Sequence, residues 1–240
     1  MAIKNGDFIL IDYTGKVKET GEVFETTIEE VAKESGIYRA NELYEPKLIV
    51  VGEGWILKSL EEKLVELDVG KSETIEIPPE KAFGLRDPSK IRMVPLRRFR
   101  SSNITPVPGM RIEFEGRLAT IRSVGAGRVQ LDFNPPLAGK TLIYDVTVKE
   151  KLTVKRDKIL ALIHRRIPLV EIEKFKLKVT KNTVTITIPR EAYFVEGIQF
   201  IKRGIAMDIL KFFEETSKVS FVESYERREP SEEEPQQETD

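Results

Sequence analysis

The chain contains no cysteine and a single histidine, and no stretch approaches the ~18 apolar residues of a membrane span. Without thiols there are no disulfides, no thiolate nucleophile and no cysteine zinc site. One histidine is too few for a histidine metal site. It is also the only imidazole available to activate a serine or threonine. His164 lies in the basic run "LIHRRI", where a place on a helix surface is the simpler reading. No G-x-G-x-x-G or Walker-type loop occurs: Gly52-Glu-Gly54 lacks its third glycine, and Gly125-Ala-Gly127 reads as a turn. No cofactor and no metal are therefore expected. The N-terminus "MAIKNGDFILIDY" has no signal-peptide core, so a cytoplasmic protein is the expectation. Charge of one sign is also lacking: 39 Lys+Arg stand against 40 Asp+Glu, which gives no global pull toward nucleic acid or membrane.

What is present suits an ordinary globular chain of 240 residues, with 40% hydrophobic and 8% aromatic residues. Phe8–Tyr13 alternates as a strand, and "TGKVKETGEVFETT" reads as a hairpin with Gly21 in its turn. "TIEEVAKESG" reads as a short helix capped by Thr27 and ended by Gly36. Leu48–Val51 is a strand. "GEGWILKSLEEKL" then opens a helix at Trp55 that runs toward Gly70, with Ile56, Leu57, Leu60 and Leu64 at helical spacing. "SETIEIPP" is another strand. The stretch from Leu85 to Pro108 is rich in proline and arginine and excludes a central strand or long helix. Short strands follow from Met110 to Phe133. Thr141–Val148 looks like a core strand with no local partner, which suits a return to the first domain.

After Thr153 the pattern is helix, hairpin, helix. The second helix carries Ile198, Ile201, Ile205, Ile209 and Phe212 on one stripe, widened by Phe200, Ala206, Leu210 and Phe213. "SFVESYE" alternates and could serve as an edge strand. The expected partner of this domain is another protein, a second copy of the chain included. The alternative is that its apolar face is buried wholly in its own small core. "ERREPSEEEPQQETD" lacks apolar residues and reads as a disordered acidic tail.

Five segments, "DYTGKV", "GEVFETT", "VVGEGWILKSLEEKL", "VGKSETIEIPPEKAFG" and "LAGKTLIYDVTV", occur in the order found in FKBP-type peptidyl-prolyl cis-trans isomerases. Residues 6–150 resemble that family. The gap between "AFG" and "LAGKTL" resembles its members with a chaperone domain inserted in the flap, the SlyD-like and long archaeal forms. The resemblance implies an α+β fold with a half-wrapped antiparallel sheet and a short helix. An all-β insert in the flap and a C-terminal α+β domain complete it. The expected boundaries are residues 1–86 and 137–152 for the isomerase domain and 87–136 for the insert. The accessory domain would take 153–225 and the tail 226–240.

Carried over by motif, Tyr13, Phe24, Glu25, Ile56, Leu57, Leu60, Phe83 and Tyr144 would form the catalytic pocket, with Leu60 on its floor and Trp55 on its rim. Five positions depart from the family pattern, among them Tyr144, which takes a place usually held by phenylalanine. Glu25 replaces aspartate, Leu60 an aromatic floor, and Phe83 a tyrosine hydroxyl, while Lys47 stands where an apolar wall is common. The implied activity is isomerisation of Xaa-Pro bonds in unfolded or partly folded polypeptides, with the insert acting as a chaperone. Nucleic acid and membrane partners are not expected. The rival reading is a non-catalytic chaperone or interaction module that uses the same pocket. For Phe24, Leu60 and Tyr144, the residues alone also allow a plain core role.

Overall fold

The computed structural model describes residues 2–101 and 104–226; of the acidic tail only Glu226 falls among them. The chain divides between Leu152 and Thr153 into two compact units.

In the first unit, β1 (Phe8–Val17) is buried at nearly every inward position. It turns at Gly21, whose φ of 72° suits glycine, into β2 (Val23–Thr26). The short α1 (Glu29–Glu34) follows. Thr27 does not cap it. Its hydroxyl instead accepts from Tyr13 N at 2.9 Å and donates to Asp12 Oδ1 at 2.9 Å, tying the helix entry to β1. β3 (Lys47–Val50) pairs with the first half of β1, and β2 with the second half. The other edge of β1 pairs along its length with β9 (Leu142–Leu152), which pairs in turn with β4 (Ser72–Ile77). Thr141–Val148 thus returns to the centre of an antiparallel five-stranded sheet ordered β2-β1-β9-β4, with β3 alongside β1.

Between β3 and β4 runs α2 (Lys58–Leu64). It starts three residues later than the periodicity suggested and ends well short of Gly70. Gly52 and Gly54 take φ of 95° and 67°, which hold the backbone out of the helix until Leu57. Leu60 and Leu64 are fully buried and close the sheet core with Ile9, Ile11 and Val148.

The insert holds β5 (Ile91–Pro95), the one-turn α3 (Arg97–Ser101), β6 (Arg111–Phe114), β7 (Arg117–Gly125) and β8 (Arg128–Asp132). Its sheet runs β5-β8-β7-β6. β5 is an edge strand, which is why the prolines of this stretch are tolerated. Phe99, Ile121, Val129 and Leu131 fill a separate core. The basic run is partly neutralised within the domain: Arg98 bonds Glu115 at 2.7 Å, and Arg92 lies over the Phe133 ring. Where the chain enters and leaves the insert, Asp132 is 2% exposed and pairs with both Arg86 and Arg122. It also accepts from Asn134 N and Nδ2. Asn134 brackets Asp87, accepting from its N at 3.0 Å and donating to its O at 2.9 Å.

The second unit packs α4 (Lys155–Arg166) and α5 (Ile198–Phe212) with a three-stranded sheet of β10 (Lys176–Val179), β11 (Thr183–Thr187) and β12 (Lys218–Val222). The expected hairpin is β10 with β11. The segment read as an edge strand is β12, lying parallel to β11 at the border of the sheet. Ile205 and Ile209 are buried, but the widened face of α5 is not wholly covered: Phe200 is 80% exposed.

Candidate active site

The pocket is built on three supports. The first is the β1–β9 pair. Tyr13 faces the core from β1, and Tyr144 faces it from β9, opposite Gly15. Gly15 makes room: a Cβ there would meet Phe24 Cζ at 2.6 Å and Tyr144 Cε1 at 3.1 Å. Phe24 on β2 can therefore close edge-on against Tyr144, with centroids 5.8 Å apart.

The second support is α2 and the loop before it. Glu61, buried on the helix, reaches back to accept from the Gly54 N–H at 3.3 Å. That contact holds the "GEGW" loop over the helix, so that Trp55, Ile56 and Leu57 border the cavity and Leu60 lies beneath it.

The third support is the segment after β4. Ser59 on α2 donates to Lys81 O at 2.9 Å, and the turn at Gly84 closes with Gly84 N to Pro79 O at 2.8 Å. Phe83, 42% exposed, is thereby suspended over the opening.

The result is one cavity of about 260 Å³ lined by Tyr13, Glu25, Trp55, Ile56, Leu57, Leu60, Phe83 and Tyr144. Eight of the nine residues singled out from the sequence border it together. The ninth, Phe24, stands behind Tyr144 and lines the neighbouring clefts instead. Leu60 forms the floor, 1% exposed. Trp55 both borders the cavity and packs, half-buried, on the sheet core.

The hydrogen bonds that join the polar residues of the site were not read from the sequence. Tyr144 donates its hydroxyl to Glu25 Oε1 at 2.6 Å across 119 residues of chain. Lys47 Nζ lies 3.5 Å from the Tyr13 hydroxyl and 5.6 Å from that ring's centre. Burial first, and then the charge of Glu25, push both phenols above the ordinary tyrosine value. Both therefore remain protonated donors throughout the neutral range. The departures noted in sequence become one device. The longer Glu25 reaches the hydroxyl of Tyr144, and Lys47 points its ammonium at the hydroxyl of Tyr13. A tyrosine where the family pattern has phenylalanine was the signal available for this contact.

Chemically, the cavity offers apolar walls, two fixed phenols and one carboxylate. The one hydroxyl–carboxylate pair on its lining, Tyr144 with Glu25, holds a phenol that burial keeps protonated, so no ready nucleophile is present. It can enclose an apolar side chain or a proline ring and hold a backbone carbonyl, which suits a reaction that makes and breaks no covalent bond.

Comparison with known proteins agrees with this geometry. Residues 92–137 match the family model described as "FKBP26, IF domain", and residues 155–226 match "FKBP26_C-terminal". The short-type peptidyl-prolyl cis-trans isomerase of Methanocaldococcus jannaschii is 41% identical over 148 residues, 62% of this chain and 93% of that protein. The FKBP-type isomerase SlyD of Treponema pallidum is 30% identical over 169 residues, 69% of this chain and 87% of that protein. A probable FKBP-type 16 kDa isomerase of Pseudomonas fluorescens is 32% identical over 108 residues, 43% of this chain and 71% of that protein. The chain thus belongs to the FKBP-type peptidyl-prolyl cis-trans isomerases, in the SlyD-like form, and is an isomerase of Xaa-Pro peptide bonds.

Proposed function

We propose that the 260 Å³ cavity is where the Xaa-Pro bond turns, and that the inserted domain holds unfolded clients beside it. The observation that carries this reading is the convergence of Tyr13, Leu57, Leu60, Phe83 and Tyr144, from distant parts of the chain, on a single cavity with aromatic and aliphatic walls.

The physics needs little more. Amide resonance sets a rotation barrier of ~18–20 kcal/mol. At the twisted transition state conjugation is lost and the carbonyl oxygen carries less negative charge. A dry apolar enclosure stabilises that state, relative to the planar amide, better than water does. Leu60 and Leu57 would seat the proline ring. Phe83 and Trp55 would close over it. The two tyrosines and Glu25 would fix the backbone on either side. No proton moves.

The clients are unfolded or partly folded polypeptides in the cytoplasm, with neither nucleic acid nor membrane as a partner. Among the described residues no helix is long and apolar enough to cross a membrane. The second unit is assigned to association with another protein, a second copy of the chain included, in keeping with the exposed Phe200 and the border position of β12.

Replacing residues 87–136 by a short flap-like loop tests the division of labour. Catalysis on a short proline peptide should persist, because the cavity lining lies outside the insert. Catalysis of proline-limited protein refolding should fall strongly. A parallel fall of both activities in a folded variant would refute it.

A further inference from the structure

The cavity does not end at Phe83. The same ring borders a second cleft of about 340 Å³, whose apolar lining includes Phe24, Pro136 and Leu137 and whose charges are Glu22, Arg111 and Lys140. A third cleft, about 520 Å³, shares Glu22, Arg111 and Lys140 with the second and adds Arg86, Arg122 and Asp132. Neighbouring spaces share walls, Phe83 between the first two and Arg111 and Lys140 between the last two. They lead from the catalytic cavity along the junction to the insert.

The chemistry changes along this path. Beside Phe83 the lining is mainly apolar. Beyond it, four cations stand against two carboxylates. One of those carboxylates, Asp132, is already committed to Arg86 and Arg122. Among the residues lining the middle cleft, Arg111 and Lys140 thus face Glu22 with one positive charge in excess; Glu19, which also acts on Lys140, lies outside that lining and accepts from the Thr141 N–H at 3.1 Å.

We infer that this trough is a specificity subsite for the client chain itself: an extended segment continuous with the bound Xaa-Pro, apolar next to the proline and acidic beyond it. The inference rests on the assignment of the cavity as the catalytic site. The occupant follows from two features: continuity with the cavity through the shared Phe83 wall, and the excess of positive charge around Arg111 and Lys140. Arg111 is contributed by the insert and Lys140 by the segment returning from it, so the preference exists only where the two parts of the unit adjoin.

The test is a protease-free isomerisation assay on short peptides with an apolar residue before proline. Aspartate, serine or lysine is placed in turn at each of four positions on either side. At low salt, aspartate at one or two neighbouring positions on one side should raise kcat/KM about three- to fivefold over lysine, the scale of a partly exposed ion pair. The gap should close at high salt. Arg111→Glu, an exposed strand position, and Lys140→Glu should abolish or invert the gap between aspartate and lysine peptides measured on the same variant. Equal turnover of aspartate and lysine peptides at every position would overturn the trough while leaving the catalytic site intact. So would a preference untouched by both variants. Absence of acceleration for any peptide would instead refute the catalytic assignment, and the trough with it.

Discussion

Gly15→Ala is the smallest change that should disturb the site. Gly15 has no need of a left-handed backbone, so alanine meets no conformational penalty there. The reduced freedom of the unfolded chain alone would favour the substitution by ~0.4–1 kcal/mol. The obstacle is space. The new methyl would stand 2.6 and 2.9 Å from two atoms of the Phe24 ring and 3.1 Å from Tyr144. Carbon contacts settle at ~3.5–4 Å, so a ring must retreat by about 1 Å. Tyr144 is 2% exposed and held by Glu25, whereas Phe24 is only half-buried on β2. Phe24 should yield, losing an edge-on aromatic contact worth ~0.5–1.5 kcal/mol and adding the strain of an overpacked contact, ~1–3 kcal/mol. After that gain is subtracted, the net loss should be about 0.5–4 kcal/mol in urea denaturation. Because Phe24 backs Tyr144, kcat/KM on a short proline peptide should fall about three- to tenfold. Phe24→Leu in the same chain should recover much of the stability, which a double-mutant cycle would show as coupling. A Gly15→Ala variant as stable and active as the parent would refute the packing described here.

Tyr144→Phe removes a hydrogen bond to a carboxylate; since water can reach Glu25, the cost should be about 1–2 kcal/mol, at the low end for charged pairs. The same variant has a pH signature. The unfolded phenol ionises near 10 while the folded one holds its proton to higher pH, so this contribution is complete below pH 10 and is lost as pH rises above it. Denaturation at pH 9 and 11 should show a wild-type slope steeper than the variant's by up to ~1.4 kcal/mol per pH unit; equal slopes would contradict the assignment. Asp132→Ala strands Arg86, Arg122 and the Asn134 N–H at the junction with the insert. Both arginines are partly exposed, so the loss should be about 2–3 kcal/mol rather than the full cost of breaking a buried pair. Hydrogen exchange should rise first in β5–β8, with short-peptide activity retained.

The parts of the fold set by local pattern were legible in the sequence. β9 alternates from Leu142 to Val148 and β1 sets Ile9, Ile11 and Tyr13 into the same core, and Leu60 and Leu64 fall on the buried side of α2 whichever residue starts it. The start itself was misread because Trp55 and Ile56 fit a helical period. Two positive-φ glycines, a conformational rather than hydrophobic signal, overrule that period. The third strand of the second unit pairs in parallel after a helical crossover, which no adjacent-hairpin rule anticipates. In the site, the apolar lining was legible through ordered motifs. The bond from Tyr144 to Glu25, the approach of Lys47 to Tyr13 and the clasp of Asp132 on Arg86 were not. Each joins residues far apart in the chain whose types alone suit any solvated surface.

The central claim is that the cavity over Leu60 turns the Xaa-Pro bond, and Leu57→Asp tests it most directly. Leu57 occupies the N-cap of α2 without a side-chain cap bond. Aspartate there should cap the helix by ~1 kcal/mol, offsetting the lost burial of a half-buried leucine. The fold should therefore survive, while an apolar wall of the cavity becomes a charge. In a protease-free assay on a short apolar-Xaa-Pro peptide, the parent should accelerate isomerisation well beyond the spontaneous ~10–100 s, and Leu57→Asp should lose at least tenfold in kcat/KM with its circular dichroism unchanged. Full activity in the folded variant would contradict the account.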